Sequence, residues 1–141
     1  MKIIIDTNVL ISAVFFRGTP GRIIDLWRDG HVELLMTSAI LAEYVDVAHR
    51  LHVRYSKVDP NPVISLLVRR GTFVQAVSLR QGVSTHRDDD KFLAAALGAS
   101  ANVIVSGDSH LLSVSGYQGI DVLTPAQFIK NYESEHRDSA K

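Results

Sequence analysis

The stretch KIIIDTN, residues 2–8, decides the fold class. Its three consecutive isoleucines show no polar alternation, which is typical of a strand buried on both faces in a parallel sheet. The stretch VIVSGD, residues 103–108, has the same form: a short β-branched run followed by a polar turn. Both stretches therefore predict buried strands that end at an acid, Asp6 in the first and Asp108 in the second.

Helical patterns alternate with these strands and with three further strand candidates, residues 32–36, 73–77 and 120–123. Candidate helices begin at Thr37 or Ser38, at Pro62, at Asp90 and at Thr124. The first has an apolar stripe at helical spacing, and the second ends before a glycine. Strands that alternate with helices predict an α/β protein, here a three-layer α/β/α sandwich with a central, mostly parallel sheet.

Length and composition predict one ordinary globular domain. The chain has 141 residues, of which 46% are hydrophobic, and we expect residues 1–132 to form a single domain. Residues 133–141 contain no large apolar side chain, so they predict a disordered C-terminal tail.

Charge and cysteine usage exclude several classes of function. The 15 basic and 15 acidic residues balance, which argues against binding nucleic acid through bulk positive charge. The absence of cysteine removes thiol nucleophiles and the usual structural zinc sites. No signal peptide or membrane-spanning stretch is recognisable, so the sequence predicts a cytoplasmic protein with no membrane association.

Acidic residues are placed so that they could meet at one edge of the predicted sheet. Asp6 and Asp108 end strands, and ligands of open α/β sheets bind outside the carboxyl ends of the strands. Glu43 borders the buried stripe of its helix, and the acidic run 88–90 begins the alanine-rich helix. Converging carboxylates repel one another unless a cation joins them, and Mg²⁺ or Mn²⁺ prefers such oxygen ligands.

Each acid also has a purely structural interpretation. Asp6 could form an Asx turn, Asp108 could cap a short turn over residues 109–112, and the run 88–90 could serve as a helix N-cap. Glu43 alone would usually be a solvated helix flank. Only the joint placement of the acids favours a functional site over these four separate explanations.

Four stretches together resemble a PIN domain: DTNVLISA at 6–13, Glu43-Tyr44, DDDKFLAAA at 88–96 and IVSGD at 104–108. More narrowly, the sequence resembles the toxins of toxin–antitoxin systems related to the VapC type. The resemblance implies a Mg²⁺- or Mn²⁺-dependent endoribonuclease that leaves 5′-phosphate and 3′-hydroxyl ends. Gly107 stands where VapC-type toxins often carry Arg, a difference that bears on substrate preference.

The resemblance also implies roles for individual residues. The catalytic acids it implies are Asp6, Glu43, Asp90 and Asp108, and the metal ligands are the same four together with Asp89. Asp89 and Asp90 are alternatives for the third acid, with a slight preference for Asp90. Asn8 and Ser106 match polar positions that would orient carboxylates or hold metal-bound water, and Arg87 and Lys91 are the basic residues nearest in sequence for RNA.

The partners that the resemblance implies are an RNA substrate, an antitoxin protein and a second copy of the chain in a homodimer. The alternative function is a catalytically silent PIN scaffold that binds RNA or protein. A phosphatase of the haloacid dehalogenase type would need a second acid two residues after Asp6, where this sequence has Asn8. A receiver domain would need a phosphoacceptor aspartate after the central strand, and residues 74–77 supply none.

Overall fold

The computed structural model of the protein describes residues 1–77 and 90–139, with side chains described up to residue 136. Its strands are β1 Lys2–Ile5, β2 Glu33–Met36, β3 Thr72–Phe73, β4 Val103–Val105 and β5 Asp121–Leu123. Its helices are α1 Thr7–Phe15, α2 Gly18–Arg28, α3 Ser38–Arg54, α4 Asn61–Arg70, α5 Asp90–Ala99, α6 Ser109–Leu112 and α7 Pro125–Ser139. Within these described residues, no helix is both long and apolar enough to cross a bilayer.

The described strands form one parallel sheet in the order β3-β2-β1-β4-β5. The three isoleucines of β1 are each 0% exposed, so both faces of the central strand are covered by other elements. This arrangement confirms the predicted α/β/α sandwich, and it makes the sheet all-parallel where the prediction was mostly parallel.

The strand order creates a crevice between β1 and β4. The chain leaves β1 toward β2 and β3 on one side, then returns to β4 on the other side. Such a reversal of strand order separates the connecting segments at the carboxyl ends of the two strands, where α/β proteins bind ligands. The Asp6 amide donates to the Val105 carbonyl at 2.9 Å, which holds the two strand ends together at this crevice.

Helix caps explain where several predicted helices begin. Thr37 is the N-cap of α3, where its hydroxyl accepts a hydrogen bond from the Ile40 amide at 3.1 Å. Thr124 and Gln127 form a reciprocal capping box at the start of α7, with distances of 2.9 and 3.2 Å. These are local signals, and the sequence therefore located both helix starts to within one residue.

Two predictions of local structure differ from the structure. The predicted strand 73–77 is shortened to Thr72–Phe73, because the chain then leaves the sheet and the Val77 amide donates to the Ala94 carbonyl of α5 at 3.1 Å. The segment from Glu133, predicted to be disordered, continues α7 as helix to Ser139. There Glu133 pairs with Arg22 of α2, and the rings of Tyr132 and His136 stack at 3.8 Å.

Close backbone contact at Gly98 fixes α5 against the chain that follows β3. A Cβ atom at this position would lie 2.0 Å from the Gln75 carbonyl oxygen. Gly98→Ala should therefore lower the free energy of unfolding by about 1–3 kcal/mol, the usual cost of overpacking. Gly107→Ala is the control, because no heavy atom lies within 4 Å of the Cβ it would add. Equal stability of the two variants in urea titrations would contradict this packing.

Candidate active site

Three of the predicted acids line one cleft at the carboxyl edge of the sheet. Asp6 follows β1, Glu43 projects from α3, and Asp108 follows β4. The cleft has a volume of about 180 Å³, and its other lining residues are Thr7, Asn8, Val47 and Phe92. The fold thus brings together residues that lie far apart in sequence.

Asp6 is a buried carboxylate, only 5% exposed. Its Oδ2 accepts a hydrogen bond from the Ser106 hydroxyl at 2.6 Å, and its Oδ1 accepts a weaker one from the Asn8 amide at 3.4 Å. Burial raises the pKa of Asp6 above its ordinary value; the Ser106 and Asn8 hydrogen bonds oppose this shift, and the carboxylates of Asp108 and Glu43 add to it. Negative charge is therefore held at Asp6 at an electrostatic cost.

Ser106 connects two of the acids and is fully buried. While its hydroxyl donates to Asp6, its oxygen accepts a hydrogen bond from the Asp108 amide at 3.0 Å. Asp108 in turn caps α6, where its Oδ1 accepts from the His110 amide at 2.7 Å. This confirms that Asp108 caps the turn, and the same residue lines the acidic cleft.

Glu43 is held by two neighbours. The Thr7 hydroxyl donates to Glu43 Oε2, and the Lys91 ammonium group donates to Glu43 Oε1. The side chains of Lys91 and Glu43 are 27% and 30% exposed, so this ion pair is partly shielded from water. Sequence reasoning assigned Lys91 only to RNA and did not identify Thr7, because pairing across 36 and 48 residues leaves no local signal.

Tyr44 connects two elements of the site, a role that the sequence did not indicate. It is fully buried, and its hydroxyl donates to the Ile5 carbonyl at the end of β1. Burial raises the pKa of Tyr44, and the negative charges of Asp6 and Glu43 raise it further. The phenol therefore stays neutral and ties α3, which carries Glu43, to the strand that carries Asp6.

The other predicted site residues lie elsewhere or outside the described residues. Asp90 is the first residue of α5 and is not among the residues that line the cleft. Asp89 and Arg87 lie outside the described residues, so the choice between Asp89 and Asp90 stays open. Asn8 does line the cleft, as its predicted supporting role requires.

The donor set fits a hard divalent cation in its chemistry. The carboxylates of Asp6, Glu43 and Asp108 line one polar cleft, and the pKa of Asp6 is raised mainly by burial and further by the charges of Asp108 and Glu43, which a cation would offset. Across residues 1–77 and 90–136, no three acidic or histidine side chains already lie close enough together to hold an ion. Glu43 already accepts hydrogen bonds from Thr7 and Lys91, so it would have to release at least one of them to bind a metal ion.

A second cleft adjoins the acidic one. It has a volume of about 290 Å³ and shares Asn8 and Asp108 with the first. Its remaining lining combines apolar and polar groups: Val9, Ser12, Pro20, Gly107 and Pro125. The carboxylates therefore lie beside a cavity that could hold a group larger than a phosphate.

The structure is a parallel α/β sandwich with an acidic cleft, and the sequence comparison identifies it as a nuclease-type fold. The sequence profile of the PIN domain matches residues 2–110, and the chain belongs to this family. It is also 28% identical over 144 aligned residues to an uncharacterized protein of Methanocaldococcus jannaschii, with 94% of this chain and 92% of that protein covered.

Proposed function

We propose that the protein is a divalent-metal-dependent endoribonuclease that hydrolyses phosphodiester bonds. One observation carries the proposal: carboxylates from the end of β1, from α3 and from the end of β4 line a single cleft at the sheet crevice. PIN domains are generally nucleases, and the match to that family supports the same reaction. The proposed ion is Mg²⁺ or Mn²⁺, which suit oxygen ligands.

The residues of the cleft have separate parts in this reaction. A divalent ion held by Asp6, Glu43 and Asp108 would lower the pKa of a water molecule and stabilise charge on the phosphate. Ser106 fixes the relative positions of Asp6 and Asp108 through its two hydrogen bonds. Phe92, only 2% exposed, forms an apolar wall of the cleft, which lowers the local dielectric and strengthens the electrostatic interactions inside.

The experiment that tests this proposal is end-group analysis of cleaved RNA. Wild type with Mn²⁺ should produce 5′-phosphate and 3′-hydroxyl ends, and EDTA should stop the reaction. The Asp108→Asn variant should be inactive under the same conditions. Cleavage that persists in EDTA and leaves 2′,3′-cyclic phosphates would contradict the proposal, because the ribose hydroxyl would then be the nucleophile. RNA binding without cleavage would favour the silent scaffold instead.

The cleft beside the acids is the proposed place for the nucleoside next to the scissile phosphate. Gly107→Leu would place an apolar side chain at this cleft, and no heavy atom lies within 4 Å of the Cβ that it adds. We expect KM for RNA to rise about 10-fold, the effect of losing one good contact of roughly 1.4 kcal/mol. Mn²⁺ affinity, measured by calorimetry, should not change.

The exposed Ser56 supplies the control, Ser56→Leu, which should leave both quantities unchanged. An unchanged KM in Gly107→Leu would contradict the placement of the nucleoside in this cleft.

The narrower proposal is a toxin that a partner antitoxin inhibits and that forms a homodimer. It is supported by the resemblance of the four acidic stretches to VapC-type toxins. Induced expression should arrest growth for wild type, and Asp6→Asn should not arrest it. If both proteins arrested growth, toxicity would not depend on RNA cleavage, and this narrower proposal would be contradicted.

A further inference from the structure

Lys91 pairs with a carboxylate that the proposed function needs as a metal ligand. Its ammonium group donates to Glu43 Oε1, and the Thr7 hydroxyl occupies the other carboxylate oxygen. Glu43 is therefore the acid of the cleft that already has a cationic partner. Lys91 Nζ also lies 5.7 Å from the ring centroid of Phe92, which lines the same cleft, so the ammonium group sits at its rim.

A divalent ion and an ammonium group compete for the same carboxylate. The Lys91 ammonium group is held by charge at Glu43, and a divalent ion that Glu43 helped to hold would repel it at so short a distance. The ion would have twice the charge, and Asp6 and Asp108 in the same cleft could help to hold it, whereas Glu43 is the acid with which Lys91 forms its ion pair among the described residues. Metal binding therefore favours release of Lys91 from Glu43.

The released ammonium group would face a polyanion. The lysine side chain is a flexible four-carbon stem with a compact charge, which suits a phosphate oxygen without fixed geometry. Rotation of this side chain away from Glu43 would carry its charge toward a phosphodiester bound at the rim of the cleft. No other described basic residue is paired with an acid of this cleft.

We propose that Lys91 is an exchangeable counter-cation of Glu43: it neutralises Glu43 in the metal-free protein, leaves when a divalent ion binds, and then pairs with the RNA phosphate. This inference rests on the proposed metal-dependent nuclease. It assigns Lys91 two successive partners and makes it a positioning residue of the reaction.

The test is Lys91→Met, which keeps the helix-forming stem and removes the charge. Mn²⁺ affinity, measured by calorimetry without RNA, should rise roughly 3- to 10-fold, because the competitor for Glu43 is gone. In the same variant, KM for RNA should rise roughly 10-fold, and the slope of log(kcat/KM) against log[salt] should weaken by about 1. These opposite changes separate an exchanging cation from a merely structural ion pair, whose loss would weaken both metal and RNA binding.

Two variants serve as controls. Lys130→Met removes an exposed charge from α7 and should change neither quantity. Lys91→Arg should keep the low KM and the weaker Mn²⁺ affinity of wild type. Unchanged Mn²⁺ affinity in Lys91→Met, with RNA cleavage by wild type intact, would overturn the exchange alone. Failure of both wild type and Lys91→Met to bind Mn²⁺ would overturn the exchange together with the metal site.

Discussion

Asp6→Asn should abolish metal-dependent RNA cleavage and at the same time stabilise the metal-free protein at neutral pH. The amide removes the buried negative charge and keeps one acceptor oxygen, but it loses the second oxygen, so one of the bonds from Ser106 and Asn8 is given up and offsets part of the gain. We expect kcat/KM to fall by at least about 100-fold, since loss of residues that only support metal ligands already costs roughly 10- to 100-fold. Cleavage assays in Mn²⁺ measure this effect.

The stability gain follows from the pKa of Asp6, which is raised by burial and by the neighbouring Asp108 and Glu43. The folded protein therefore keeps the Asp6 proton to a higher pH than the unfolded chain does. Between an ordinary pKa of about 4 and the raised value, the folded state binds more protons, so this group's contribution to stability falls as pH rises. Above the raised pKa, the folded protein carries the full electrostatic penalty of the Asp6 charge. Asn at this position has no charge and therefore no such penalty.

Urea denaturation in EDTA between pH 3.5 and 8 measures the difference. The free energy of unfolding of Asp6→Asn minus that of wild type should grow as pH rises and then level off. Asp46→Asn is the matched control, because Asp46 is exposed on α3 and pairs only with Arg50 in the described ion pairs. A stability difference between Asp6→Asn and wild type that does not grow with pH would contradict the assignment of a buried charge with a raised pKa.

Ser106→Ala should weaken both the site and the fold. The substitution at this fully buried position removes the donor to Asp6 Oδ2 and leaves the Asp108 amide without its hydroxyl acceptor. We expect Mn²⁺ affinity and cleavage to fall roughly 10- to 100-fold. The free energy of unfolding should fall by about 1–3 kcal/mol, the usual cost of an unsatisfied buried group.

The control for this variant is Ser113→Ala, which removes an exposed hydroxyl that donates to the His110 carbonyl at 2.6 Å. It should leave cleavage unchanged and stability within about 0.5 kcal/mol of wild type. Wild-type cleavage by Ser106→Ala would show that the two acids do not need this bridge.

The sequence predicts the frame of the site because its signals are local. The isoleucine run of β1 and the apolar run of β4 predict buried strands, and the acids that follow their carboxyl ends, Asp6 and Asp108, therefore lie at the same edge of the sheet. The stripe on α3 likewise places Glu43 at the border of its buried face. These predictions need only periodicity and the geometry of parallel sheets.

The rest depends on contacts that periodicity does not encode. Helix α1 buries six of its nine residues, including Thr7, Leu10 and Ile11, so its polar and apolar faces contrast too weakly to reveal it by periodicity. The pairing of Lys91 with Glu43 joins two helices across 48 residues, and a lysine at that position looks like any solvated charge. The shortening of β3 also follows from a tertiary contact, because residues 75–77, which come after β3, pack on α5.

Manganese anomalous scattering from crystals soaked in Mn²⁺ tests the central claim most directly. We predict a peak between the carboxylates of Asp6, Glu43 and Asp108, at about the 2.0–2.2 Å from their oxygens that is usual for small hard cations. The same crystals should show Lys91 Nζ turned away from Glu43. The absence of a peak in this cleft at saturating Mn²⁺, or a peak only at other carboxylates, would contradict the assignment of a metal-dependent nuclease site.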